Sequence, residues 1–235
     1  MASLIAALLV SVLIGAIVYL GLAYRTWRRY GRPARPNEAI DDPLLDRFMP
    51  HYDVVERHAI VVDAPPAVTL EAAMDYDIAR SRIARCLFKT RALILGARPE
   101  PPPAGRGLVA QVKALGWGEL AVVPGREIVV GAVTQPWQAN VRFRSLRQTE
   151  FEPYDRPGCV KIAWTLRADP LADGRTIFST ETRARATDPV SRRLFRRYWA
   201  MVSPGVGLIR RFSLSPIKLE AERRAGRSPL TTMVA

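Results

Sequence analysis

The chain is poor in the side chains that most often carry chemistry. Its 235 residues include two histidines, His51 and His58, and two cysteines, Cys86 and Cys159. So few, so scattered, they form neither a spaced set of metal ligands nor a disulfide framework. No recognised nucleophile motif is present. GRGLVA, residues 105–110, has the spacing of a loose phosphate loop, but it follows PEPPPA rather than a strand and reads as a chance match. No metal and no cofactor is expected. Charge is also missing where it would matter: residues 1–24 carry no charged side chain, and residues 25–35 carry five arginines and no acid.

What is present starts with that uncharged run. ASLIAALLVSVLIGAIVYLGLAY, residues 2–24, is long enough at about 1.5 Å per residue to cross a hydrocarbon core of about 30 Å. Gly21 and Ala23 would suit a cleaved signal peptide. However, no basic residue precedes the run, and it exceeds a signal's apolar core. Residues 1–24 are therefore read as a single transmembrane helix. Arg25, Arg28, Arg29, Arg32 and Arg35 crowd its C-terminal flank, which by the positive-inside rule places the rest of the chain in the cytoplasm, on a single-pass anchor in the cell membrane. Residues 25–45 read as a basic juxtamembrane segment and proline-containing linker, 46–224 as one domain, and 225–235 as a tail.

Within the domain, residues 54–66 form a β-rich run ended by two prolines, and residues 67–96 are helix-rich with Gly96 as the stop. Residues 97–107, proline-rich, predict an exposed loop. The hydrophobic period then changes to two. Residues 118–133 predict two strands around Pro124 and Gly125, and ANVRFRSL, GCVKIAWTLRA and RTIFSTETRARA each alternate. This is an antiparallel sheet. Asp188 caps and Pro189 opens a final helix. Val190, Leu194, Phe195, Tyr198, Met201 and Val202 fall on one side of it, and Arg192, Arg193, Arg196 and Arg197 on the other. Ser203, Pro204 and Gly205 predict a kink or restart, giving two pieces that end near Arg224. The apolar side needs the sheet as its partner, so the sheet must curve around it.

This order of elements, with IVVDAPP at 60–66, PGREIVVGAVTQPW at 124–137, and STETRARATD followed by RRLFRRYW at 179–199, resembles the SRPBCC superfamily of START-like, Bet v 1-like and polyketide cyclase-like proteins. The resemblance covers about residues 50–222. It implies an α+β helix-grip fold, a curved antiparallel sheet with a long C-terminal helix, here preceded by one transmembrane helix. It also implies a cavity between sheet and helix for a hydrophobic ligand such as a lipid. The expected lining is Trp137, Phe143, Trp164, Phe178, Thr180, Thr182, Tyr198 and Val202: a largely apolar pocket with a few orienting hydroxyls.

Candidate catalysts are few. Glu181 and Arg183 share a strand face as a proton donor and oxyanion partner of a cyclase-like site, or else as an ordinary ion pair. His58, beside Glu56, reads as a core or surface histidine before a general base. The arginines at 192, 193, 196 and 197 form a solvated face or meet anionic lipid; no nucleic-acid motif accompanies them. The expectation is therefore a membrane-anchored START-like domain that binds a hydrophobic molecule or lipid. The alternatives are a polyketide cyclase or dehydratase-like enzyme, and a non-catalytic interaction module with a filled cavity.

Overall fold

Alternation and capping in the sequence translate directly into the elements of the computed structural model, which describes residues 2–32, 42–98 and 105–227. Arg35, most of the linker, the centre of the proline-rich loop and residues 228–235 lie outside the described residues. Helix α1 spans Ala2–Arg29 and α2 spans Pro43–Asp46. Strand β1 is Val54–Val62, followed by α3 (Pro66–Met74), a 3-10 turn and α4 (Arg82–Leu95). Next come α5 (Leu108–Ala114), β2 (Gly118–Val123), β3 (Glu127–Thr134), β4 (Phe143–Arg144) and α6 (Gln148–Phe151). Strands β5 (Val160–Pro170) and β6 (Thr176–Ala186) lead into α7, Pro189–Arg227.

The fold is α+β: an antiparallel sheet in the order β1-β6-β5-β3-β2, with short β4 on β3, packed against a long C-terminal helix. This is the helix-grip arrangement. Even-numbered positions of β5 and β6 face α7. Leu166 and Phe178 join Leu214, Ile217 and Ala221 of α7 in one core, while Val160 and Ala184 join Phe195 and Trp199 in another. The opposite face of the sheet is covered by Leu45, Phe48, Met49 and Phe151. That cover is pinned by polar contacts. Lys161 reaches through to the carbonyls of Phe151 and Glu152 at 3.1 and 2.6 Å, and Asp42 caps α2 by accepting from the Leu45 amide at 2.8 Å.

Three differences from the sequence reading have physical reasons. First, α7 does not restart at Pro204: it continues through Pro204 and Pro216. A proline removes one backbone donor and crowds the turn before it, but packing against α1, α3, α4 and the sheet holds the helix on course. Second, the run ANVRFRSL yields only the two-residue β4, because Val133 and Thr134 alone offer it ladder partners. Third, the first helix does not end at residue 24. Helix α1 runs on to Arg29 and docks on the domain: Tyr30 packs edge-on against Phe195 with centroids 5.8 Å apart, and the Gly31 amide donates to the Asp53 carbonyl at 2.9 Å. Gly31, at φ 73°, makes the turn that ends α1 without the steric cost a side chain would bring. Asp53 then ties the ends together, accepting from Arg192 at 2.7 Å and from the Ala186 amide at 2.9 Å.

Residues 5–29 are long and apolar enough to cross a membrane by length and composition, and their most apolar window is not buried against the domain.

A carboxyl pair couples α2 to the sheet. Glu127 and Asp42 are both buried, and Thr165 Oγ1 donates to Glu127 Oε1 at 3.1 Å. Burial, reinforced by the adjacent Asp42 carboxyl, pushes Glu127 up to about 7. The folded chain therefore holds a proton between the ordinary 4.5 and about 7 that the unfolded chain has released, so stability falls as pH rises across that window. Glu127→Gln is expected to flatten this dependence and to raise stability above pH 7 by on the order of 1–3 kcal/mol. Thermal midpoints of both proteins between pH 4.5 and 8 check it; parallel curves would contradict the assignment.

Candidate functional site

The face of the sheet under α7 is apolar at its two ends and polar between them. Register places His58 and Leu166 on either side of Thr180, and Glu56 and Trp164 on either side of Thr182. Above this belt α7 contributes Arg210, one turn after Val206 and one turn before Leu214, which belong to the two flanking apolar cores. The Arg210 guanidinium donates to Thr180 Oγ1 at 3.3 Å and to Thr182 Oγ1. Trp164 Nε1 donates to Thr180 Oγ1 at 2.7 Å. His58 Nε2 is buried with no hydrogen-bond partner; the nearest carboxylate oxygen, on Glu56, is 3.7 Å away.

Arg210 is unusual in its company. Its hydrogen bonds go to hydroxyls, and burial pushes it down to about 10 against the pull of Glu56 and Glu181, which act from longer range. A half-buried cation without a tight carboxylate and a buried imidazole nitrogen without a partner are both costly in a finished core. Together with Glu56 they form a belt of donors and acceptors that suits an oxygen-bearing group. The sequence reading missed Arg210, yet the signal was there: the buried positions Phe195, Trp199, Leu214, Ile217 and Ala221 recur at helical spacing, and residue 210 falls in their seam.

The expected lining residues divide into groups. Trp164, Thr180 and Thr182 are in the polar belt. Phe178 lies in the core beside Leu214, while Trp137, Tyr198 and Val202 pack around Phe195 at the other end. Phe143 is not with them. It packs on Trp117, with centroids 5.0 Å apart, from the short β4.

Glu181 and Arg183 lie on the other face of the sheet. Odd positions of β6 point away from α7, so this pair cannot act on anything held beneath the helix. Glu181 accepts from Arg57 Nη2 at 3.0 Å and from Arg183 Nε at 2.6 Å, and Arg183 also donates to Asp46 and, at 2.8 Å, to the Met49 carbonyl. The arrangement is a buried clamp holding α2 to the sheet.

The arginines divide as well. Arg25, Arg28, Arg29, Arg32, Arg193 and Arg197 are exposed. Arg192 pairs with Asp53, and Arg196 stacks 4.1 Å over Trp27 while donating to its carbonyl at 3.0 Å.

A ligand-sized hollow beneath α7 was expected. The larger hollow, about 630 Å³, lies instead at the far end of α7, open and polar between Asp63, Arg175, Lys218 and Glu222. A second hollow, with about 10 Å³ free, lies on the other face of the sheet among Asp42, Arg57, Arg167 and Glu181. Trp164 and Arg210 meet across the belt at Thr180, to which both donate.

No protein-family model and no curated protein matches the chain. Several solved structures do. A Chromobacterium violaceum protein is 16% identical with a TM-score of 0.33, covering 72% of this chain and 97% of its own. A hypothetical protein from Helicobacter pylori is 7% identical with a TM-score of 0.36, covering 81% and 98%. The Zhui aromatase/cyclase from a Streptomyces species is 18% identical with a TM-score of 0.24, covering 72% and 94%.

Proposed function

We propose that this chain is a membrane-anchored helix-grip domain that binds a hydrophobic molecule bearing an oxygenated head, the head meeting Arg210, Thr180, Thr182 and His58. The observation that carries this reading is the incompletely partnered polar belt between two apolar cores. A ligand carbonyl or hydroxyl supplies what Arg210 and His58 Nε2 lack, and its hydrocarbon part replaces contacts between α7 and the sheet. Helix α1 anchors the chain, with Arg25, Arg28, Arg29 and Arg32 at the cytoplasmic surface. Binding parts α7 from the sheet, because Arg210 bonds to Thr180 and Thr182 across it.

The catalytic alternative rests on the same belt. His58, 3.7 Å from Glu56, is the candidate base, and Arg210 the group that stabilises negative charge on a substrate oxygen. The filled interaction module is favoured by Trp164 and Arg210, whose hydrogen bonds to Thr180 occupy the belt.

The reading is tested with photo-leucine incorporated into the full chain in native membranes. Leu166 and Leu214 are 2% and 7% exposed, so irradiation reports what lies under α7. Small-molecule adducts on the peptides containing them are the expected result. Only crosslinks within the protein at those two positions would favour the filled module.

A further inference from the structure

The outer face of α4 has no protein partner among the described residues. Its 14 residues include Arg82, Arg85, Lys89 and Arg91 and no acid. Arg91 turns inward and closes a clasp, donating to the Tyr198 hydroxyl at 3.2 Å and to the carbonyls of Pro136 and Gln138 at 3.1 and 3.0 Å. The other three cations point outward. At 3.6 residues per turn, Arg82, Cys86, Lys89 and Leu93 share one narrow face, with Arg85 beside it. Leu93 is 83% exposed; Ile94 and Phe88, 66% and 52% exposed, stand roughly 100° and 140° around the helix from it, on either side of the inward Arg91. Three large apolar side chains in water on one short helix call for a partner, and three cations unopposed by any acid on the same helix define its chemistry. Cations around an exposed leucine suit the head-group layer of an anionic bilayer.

Position points the same way. The apolar helix α1 packs on α7 through Trp27 on Arg196, Thr26 on Ser203 at 3.0 Å, and the Tyr19 hydroxyl on the Met201 carbonyl. Helix α4 meets α7 over the same stretch, through Arg91 at Tyr198 and Leu87 beside Gly205. With helix axes packed at about 8–10 Å, α4 lies within roughly 20 Å of α1. Met201, on the shared stretch, is itself 48% exposed.

We propose that the outer face of α4 is a second membrane contact, resting in the head-group layer of an anionic phospholipid bilayer. Arg82, Arg85 and Lys89 meet phosphates, and Leu93 reaches the acyl boundary. The contact holds the Arg91 clasp, and with it one edge of the grip, against the surface that α1 crosses. This inference rests on α1 being a membrane anchor, as proposed above. Three cations give a preference of roughly a hundredfold for the docked state on an anionic surface, and salt weakens it.

The test uses the full chain with Cys159→Ser, so that Cys86, exposed on this face, alone carries an environment-sensitive nitrobenzoxadiazole label. The protein is reconstituted in phosphatidylcholine vesicles with or without equimolar phosphatidylglycerol, and floated. On anionic vesicles, the label is expected to shift to the blue and to be quenched by lipids spin-labelled near the head group. The effect falls at high salt, without phosphatidylglycerol, and in the Arg82→Glu/Arg85→Glu/Lys89→Glu variant, which still floats. A floating wild-type protein whose label remains in water overturns the α4 contact alone. So does a label shielded from water yet untouched by lipid quenchers, which points to a second copy of the chain. A protein that floats with neither vesicle overturns the anchor reading and this inference together.

Discussion

Glu181→Gln is expected to lower the stability of the full chain in detergent by about 3–5 kcal/mol, the usual cost of breaking a buried ion pair from one side. For a chain of this size that is a fall in thermal midpoint of roughly 10 °C. The carboxylate is 4% exposed and stands between two guanidinium groups, those of Arg57 and Arg183. Glutamine keeps the shape and removes the charge, leaving the two cations facing each other in a water-poor space. Arg183 is the more constrained of the two, 1% exposed and stacked 4.7 Å over the Tyr52 ring. Because this clamp holds α2 to the back of the sheet, the loss is also expected to release residues 42–49, seen as faster amide exchange there than in β5. An unchanged midpoint would show that the clamp adds nothing net.

Arg210→Met is expected to behave in the opposite way, although Arg210 is also a cation packed against the sheet, half-buried rather than buried. Its hydrogen-bond partners are two threonine hydroxyls that have few alternatives, and Trp164 still satisfies one of them. Exchanging a weakly partnered, half-buried charge for an apolar chain of similar length is often neutral or stabilising by about 1–4 kcal/mol. The same exchange removes the main hydrogen-bond donor of the polar belt and is expected to lower ligand binding at least about tenfold, as for a lost charge-assisted hydrogen bond. A variant more stable but empty is the signature of a functional residue held at a cost to the fold. A strongly destabilised variant would mark Arg210 as a structural cation.

The contrast between these two sites also marks what could be read in advance. Alternation along residues 160–168 and 176–186 was enough to place Leu166, Phe178 and Thr180 on one face, because a strand buried on that side must repeat every second residue. Asp188 and Pro189 marked the start of α7; the Asp188 carboxylate accepts from the Val190 and Ser191 amides at 2.8 and 3.0 Å. The same parity already sent Glu181 and Arg183 away from Thr180. What parity could not say is what covers that second face, because the answer is Asp46, 137 positions away along the chain. The docking of Trp27 on Arg196, 169 positions apart, was hidden for the same reason. Proline in α7 misled differently: local cost predicted a break, and tertiary packing on several sides outweighed it. Arg210 was legible as a charge in an apolar seam, but its partners lie on β6, and only the packed structure shows that they are hydroxyls.

The measurement that bears most directly on the central claim is a comparison of what is extracted from the purified wild-type protein and from Arg210→Met, prepared side by side in the same detergent and read by mass spectrometry. Lipids that merely coat α1 appear equally in both. The polar belt predicts a molecule with an oxygenated head and a hydrophobic body that is stoichiometric with the wild type and depleted in the variant. Identical extracts from two equally folded proteins would contradict it.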